Sequence, residues 1–202
     1  MVTPDPEEDF TLADRRFMDA AVRHSYAHLG LTGENPAVGA MVVAETDAGP
    51  AIVGRGVTAL GGRPHAELQA LAEAGPLAAG ATAYVTLEPC SHLGKSPPCA
   101  EALITAGVRR VVVAVLDPDI RVAGRGVAIL RKAGIAVDIG CEATAARRAM
   151  AGFLSLKGRG RPFLSLKMAV SADGRIGRRG AGQVPISGAV AHDVAHVLRL
   201  EH

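Results

Sequence analysis

The chain has 202 residues, 49% of them hydrophobic and 21% charged, with a formal net charge of +2. So even a balance argues against a nucleic-acid binder held by bulk electrostatics. With 3% aromatics and no Trp, stacking platforms for single strands are scarce as well. The length suffices for one full domain and part of a second. The three cysteines, Cys90, Cys99 and Cys141, show no disulfide-like spacing, and residues 1–9 are acidic with no basic-then-apolar leader. Both features predict a cytoplasmic protein with a frayed N-terminus. No apolar run reaches the ~18 residues that span a bilayer.

Thr11 is placed to cap a helix running to about residue 29, with Phe17, Ala20, Ala21, Tyr26 and Leu29 supplying much of an apolar face and Gly30 ending it. Two short β-rich runs, 38–44 and 51–57, flank a polar turn and predict a hairpin. A helix over 65–74 closes at Gly75-Pro76. There follow a strand over 81–87, a helix over 98–106, a continuous apolar strand over 110–116, a helix over 122–133, a strand over 136–139 and a helix over 143–154. Alternation of strand and helix after an antiparallel hairpin predicts a three-layer α/β/α sandwich with a mixed sheet. A basic, glycine-rich stretch at 157–162 then reads as a linker. It precedes an apolar strand over 163–170 and a helix over 189–200, too little for an independent domain.

Chemistry concentrates in His65-Ala66-Glu67, Pro89-Cys90 and Pro98-Cys99. One His and two Cys supply three zinc ligands and leave the fourth tetrahedral position open, as a catalytic site requires. His-x-Glu followed by Pro-Cys and a second Cys is the signature of zinc deaminases acting on nucleobases, here with eight residues between the cysteines instead of two. Zinc held by His65, Cys90 and Cys99 would make a water acidic near neutral pH. Glu67 would take that proton and later deliver it to the leaving amine. Both metal-binding segments are expected at the starts of adjacent helices, where dipole and free N–H groups favour thiolate.

Two plainer readings compete. The first is a structural zinc ribbon, but no Cys-x-x-Cys occurs, and recruiting His92 as a fourth ligand would leave Glu67 idle. The second is that the three residues never meet, since buried cysteines and surface histidines are common. Cys141 is expected to be a free thiol without function.

These residues resemble one family, the bifunctional riboflavin-biosynthesis deaminase–reductases. The stretches that carry the resemblance are Asn35-Pro-Ala-Val-Gly-Ala40, His65-Ala-Glu67, the run from Gly80 to Cys90, the run from Ser91 to Cys99, Asp117-Pro118 and Val122-Ala-Gly-Arg-Gly126. They span roughly residues 12–155. The resemblance implies a cytidine-deaminase-like fold and zinc on His65, Cys90 and Cys99, with Glu67 as the proton shuttle. It also implies hydrolytic deamination of 2,5-diamino-6-(5-phosphoribosylamino)pyrimidin-4(3H)-one. Asn35 would contact the pyrimidine edge, Lys95 and Ser96 the ribose phosphate, and Asp117 the ribose hydroxyls. His92 either lines the pocket or faces solvent.

Residues 161–175 resemble the opening of the family's NADPH-dependent reductase domain, with Ala169 at the cofactor and Arg199 at the substrate. The family's Ser-x-Trp-Ile-Thr stretch reads Gln183-Val-Pro-Ile-Ser187 here, and reductase activity is not expected of these 202 residues. The expected division is therefore a deaminase domain over 10–155 and a linker with a reductase start over 156–202. A cytosine- or guanine-type deaminase of the same fold is the alternative. The expected partner is a small phosphoribosylated pyrimidine, with no nucleic acid and no membrane; a homo-oligomer stays open.

Overall fold

The computed structural model describes residues 10–91, 97–119, 123–180, 182 and 184–201. Helix α1 spans Leu12–Ser25 and passes into a 3-10 turn at Tyr26–His28. Its start is a reciprocal capping box: Asp14 N–H donates to Thr11 Oγ1 at 3.0 Å, and Thr11 N–H donates to Asp14 Oδ2 at 3.2 Å. The hairpin consists of β1 (Gly39–Thr46) and β2 (Gly49–Val57). Helix α2 (Ala66–Ala74), β3 (Thr82–Leu87), α3 (Cys99–Thr105), β4 (Arg110–Val115), α4 (Arg125–Lys132) and β5 (Ala136–Ile139) follow in order. Helices α5 (Ala143–Ala149), α6 (Ala151–Arg159) and α7 (Ala189–Glu201) complete the described elements.

The sheet runs β2-β1-β3-β4-β5, antiparallel at β2-β1 and β1-β3 and parallel at β3-β4 and β4-β5. The pleat shows that helices cover both faces. Gly39 and Ala40 point to opposite sides, and Ala40 pairs with Gly56. A Cβ on Gly39 would strike the Ala21 carbonyl of α1, whereas one on Gly56 would strike the Ala66 carbonyl of α2. Helix α5 packs beside α1, and α3 and α4 continue the α2 layer. The mixed-sheet α/β architecture expected from the sequence is therefore present. β3 is buried throughout and β4 from Val111 onward, as central strands covered on both faces must be.

Asp14 ties α1 to the sheet. Its Oδ1 accepts from Arg110 Nη1 at 2.6 Å and from the Tyr84 hydroxyl at 2.8 Å, while Arg110 Nε donates to Asp138 Oδ2 at 2.7 Å. Burial pushes the Asp14 carboxyl upward, but the hydrogen bonds from Arg110, Thr11 and Tyr84 outweigh it and hold it at about 2.

Three expectations are corrected. The helix expected over 143–154 is two helices, broken at the buried Met150 (φ −115°, ψ 22°), and the second runs on to Arg159. Residues 163–170 form no strand and pair with none among the described residues, and Leu164 and Leu166 are 88% and 79% exposed. The helix expected from residue 122 begins at Arg125; residues 120–122 lie outside the described set. No described helix is long and apolar enough to cross a membrane.

Candidate zinc centre

The centre lies at the carboxyl ends of β3 and β4, beside the start of α2. His65 is the N-cap of α2 with an extended backbone (φ −70°, ψ 160°), and its side chain makes no capping bond, so the ring is available to a ligand. Two residues on, Glu67 sits in the first turn and is only 4% exposed. Cys90 follows β3 in a loop, and Cys99 opens α3. Cys99 therefore stands at a helix start as expected. Cys90 does not: Pro89-Cys90 lies outside any helix, so the dipole argument holds for one thiol only.

The three donors converge. His65 Nδ1 is 3.7 Å from Cys90 Sγ and 3.4 Å from Cys99 Sγ, and all three lie within 4.8 Å of one another. Tetrahedral zinc with Zn–S of about 2.3 Å and Zn–N of about 2.0–2.1 Å puts its S and N ligands about 3.5–3.6 Å apart. The donor set thus fits a zinc ion in both type and spacing, and it is the one candidate metal group among the described residues. The reading in which these residues never meet is excluded. His92 lies outside the described residues.

The Cys90 thiol falls to about 4, first through its hydrogen bond with Cys99 and, against burial, through His65. Cys99 is raised by that same bond and by burial, so the two thiols titrate as a unit with one thiolate between them. The Cys99 N–H donates to Cys90 Sγ at 3.3 Å and supports the charge. His65 is raised chiefly by its hydrogen bond to Cys90. Burial pushes Glu67 up to about 7.

A cavity of about 230 Å³ opens from the centre. Asn35 lines it, held by a turn in which Thr32 Oγ1 donates to the Asn35 carbonyl at 2.6 Å. Gly62, at φ +93°, lets the Asn35 amide come within 2.1 Å of where a Cβ would stand. Asp117 lines it from the end of β4, its carboxyl raised first by burial.

Sequence reasoning missed Glu88. It is 3% exposed, and its Oε1 accepts from the N–H groups of Gly126 (2.9 Å) and Val127 (3.3 Å). Its Oε2 accepts from Gly124 (2.9 Å) and Asp117 (3.3 Å). One carboxylate thus caps α4 and holds the Asp117 backbone beside Cys90. Its only sequence signal was its place before Pro89-Cys90. Phe153 and Lys157 of α6 also reach the cavity, although residues 157–162 read as a linker.

Lys95 and Ser96 lie outside the described residues. Arg199 and Ala169 are not brought to this site. Arg199 is exposed on α7 with Nη1 3.3 Å from His196 Nδ1, and Ala169 lines a separate hollow with Ile176 and His192.

The profile of the cytidine and deoxycytidylate deaminase zinc-binding region matches residues 12–115, the stretch that holds all three donors and Glu67. The chain belongs to this deaminase family. Among curated relatives, RibD of Aquifex aeolicus, a riboflavin biosynthesis protein, is 43% identical over 188 residues, 93% of this chain and 52% of its own length. The solved structure of Acinetobacter baumannii RibD superposes with a TM-score of 0.84 at 43% identity, over 93% of this chain and 52% of that one. A Thermotoga maritima diaminohydroxyphosphoribosylaminopyrimidine deaminase/5-amino-6-(5-phosphoribosylamino)uracil reductase gives 0.82 at 34% identity, over 91% of this chain and 52% of that one. The chain spans about half the length of the relatives it matches, and the match is to the N-terminal deaminase domain of RibD-type bifunctional deaminase–reductases. The resemblance seen in the sequence is borne out. Family and donor set together make this a zinc-binding aminohydrolase.

Proposed function

We propose that this domain hydrolyses the 2-amino group of 2,5-diamino-6-(5-phosphoribosylamino)pyrimidin-4(3H)-one, giving 5-amino-6-(5-phosphoribosylamino)uracil and ammonia. The observation that carries the proposal is a three-donor site at tetrahedral spacing with the buried Glu67 carboxyl in the first turn of the helix that His65 opens. His65, Cys90 and Cys99 would hold zinc, whose Lewis acidity makes water a competent nucleophile at neutral pH. Glu67 takes the proton from the attacking water and passes it to the departing nitrogen, so that one carboxyl serves both transfers. Oxygen replaces nitrogen on the ring carbon, and the balance is one water consumed per ammonia released. Asn35, with an amide that donates and accepts together, suits a ring edge bearing both kinds of atom. Asp117 is assigned to the ribose hydroxyls, and Lys95 and Ser96 to the phosphate side.

The proposed division is a deaminase domain over 10–155 and a reductase start over 156–202. Helix α6 crosses that boundary. NADPH would serve a complete reductase domain, of which residues 156–202 resemble only the start. Unpaired Cys90, Cys99 and Cys141 fit a reducing cytoplasm. Replacing Glu67 by Gln tests the assignment. The variant should keep its zinc and lose turnover by at least about a hundredfold; loss of the metal instead would make Glu67 a ligand or a structural group.

A further inference from the structure

Two of the three donors are placed by helix starts: His65 is the N-cap of α2 and Cys99 opens α3. Cys90 lies in no helix. The bonds that α3 sends it act at or after Cys90 itself: the Cys99 N–H donates to its sulfur at 3.3 Å and the Ala100 N–H to its carbonyl at 3.2 Å. The peptide that leads into Cys90 from β3 needs a support of its own, because a metal site tolerates only about 0.2 Å of error in a ligand distance.

Helix α4 supplies that support, although it contributes no donor. Gly126, in its first turn, lies against the Pro89–Cys90 peptide, and a Cβ on it would stand 2.0 Å from the Pro89 carbonyl oxygen. Glu88 closes the same contact from the strand side. Its N–H prolongs the β3–β4 pairing by donating to the Val115 carbonyl at 2.9 Å, and its buried carboxylate turns into the start of α4. Oε1 accepts from Gly126 and Val127, and Oε2 from Gly124 and from Asp117 on the pocket wall. One carboxylate thus joins the end of β3, the first turn of α4 and the Asp117 wall, with the Pro89 carbonyl seated on Gly126. Helix α4 also packs on α3, which carries Cys99.

We propose that α4 is the positioning element of the zinc centre: Glu88 and Gly126 set where the Cys90 thiolate meets the metal and couple that position to the pocket wall at Asp117. The inference rests on the zinc site alone, whichever amine is released there. Groups behind a metal ligand typically change metal affinity by about 10–100-fold. The coupling is reciprocal, so zinc held by Cys90 must in turn steady the start of α4.

The test begins with the unaltered 202-residue chain. Amide exchange at Gly124, Gly126 and Val127 is followed with and without zinc, with Asp14 at the capped start of α1 as reference. Zinc should slow the three amides at least about fivefold relative to Asp14, and equal changes at all four would overturn the coupling. Gly126→Ala and Glu88→Gln are then compared with Leu130→Ala, which empties the core under the other end of α4, where Leu130 is fully buried. Zinc affinity, by competition with a chelator, should fall at least about tenfold in Gly126→Ala and Glu88→Gln. In Leu130→Ala it should stay within about twofold despite lower stability to urea. With cobalt(II) in place of zinc, the thiolate-to-metal charge-transfer absorption should shift in Gly126→Ala and Glu88→Gln and not in Leu130→Ala. Unchanged affinity and an unchanged cobalt spectrum in the first two would reduce the contact to packing and refute the positioning role. If either variant fails to fold, the exchange measurement and the other variant decide. None of these readouts uses turnover, so they stand apart from the substrate assignment.

Discussion

Replacing Gly56 by Ala should damage the sheet and the metal centre together. The new Cβ would stand 2.0 Å from the Ala66 carbonyl oxygen and 2.8 Å from the Ala70 nitrogen. A carbon and an oxygen settle above about 3 Å, so α2 must withdraw by roughly an ångström. That face of α2 is closed by Ala66, Ala70 and Ala74, all buried, and small residues leave nothing to bend aside. Overpacking of this kind costs typically 1–3 kcal/mol and occasionally more. With backbone as the obstacle we expect the upper end, about 3 kcal/mol, or roughly 6–12 °C in Tm. His65 immediately precedes the displaced Ala66 and must also hold its 3.4 Å and 3.7 Å spacings to the two sulfurs. Zinc affinity should therefore fall at least tenfold. Urea unfolding and competition with a metal chelator measure the two effects. Gly152→Ala is the control: nothing lies within 4 Å of its Cβ, it sits inside α6, and it should stabilise by about 0.5–1 kcal/mol. Native stability and full zinc affinity in Gly56→Ala would refute the close-contact account of how α2 is placed.

Three further outcomes are expected. Cys99→Ser should bind zinc far below one ion per chain by elemental analysis, and stoichiometric zinc would remove Cys99 from the ligand set. Asp14 is held at about 2, below its ordinary 3.8, so its contribution of about 2 kcal/mol is complete above pH ~5 and lost as pH falls through ~4 to ~2. Urea midpoints across that range should drop more steeply for the wild type than for Asp14→Asn, and parallel curves would place the acid sensitivity elsewhere. Glu88→Gln turns an acceptor into a donor facing backbone N–H groups, at a cost of about 2–3 kcal/mol by urea unfolding. Amide exchange should quicken at Gly124 and Gly126; unchanged exchange there would contradict the capping role of Glu88.

Much of this molecule is legible in its sequence where the signal is local. Thr11 caps α1 as expected, with Asp14 as a capping-box partner that the structure adds, and the apolar run of β4 reads as a central strand because no polar face interrupts it. His65, Cys90 and Cys99 are legible because few other jobs need those residue types in that order beside a buried Glu. What escapes the sequence is set by contacts between distant segments. The break at Met150 has no Gly or Pro to announce it; it lies where the chain leaves α5 packed on the sheet and turns toward the pocket. Residues 163–170 carry a strand's apolar pattern, but a ladder needs a neighbour and the described residues offer none. Glu88 makes its bonds to backbone N–H groups, which no side-chain motif records, and Lys157 reaches the pocket only because α6 docks beside Pro118.

Deaminase chemistry at this centre is best measured as ammonia release from the zinc-loaded chain, with the phosphoribosylaminopyrimidine and cytidine run side by side and Glu67→Gln as reference. Release is expected from the phosphoribosylaminopyrimidine alone, abolished in Glu67→Gln at unchanged zinc content. Release from cytidine alone, or turnover that survives in Glu67→Gln, would contradict it.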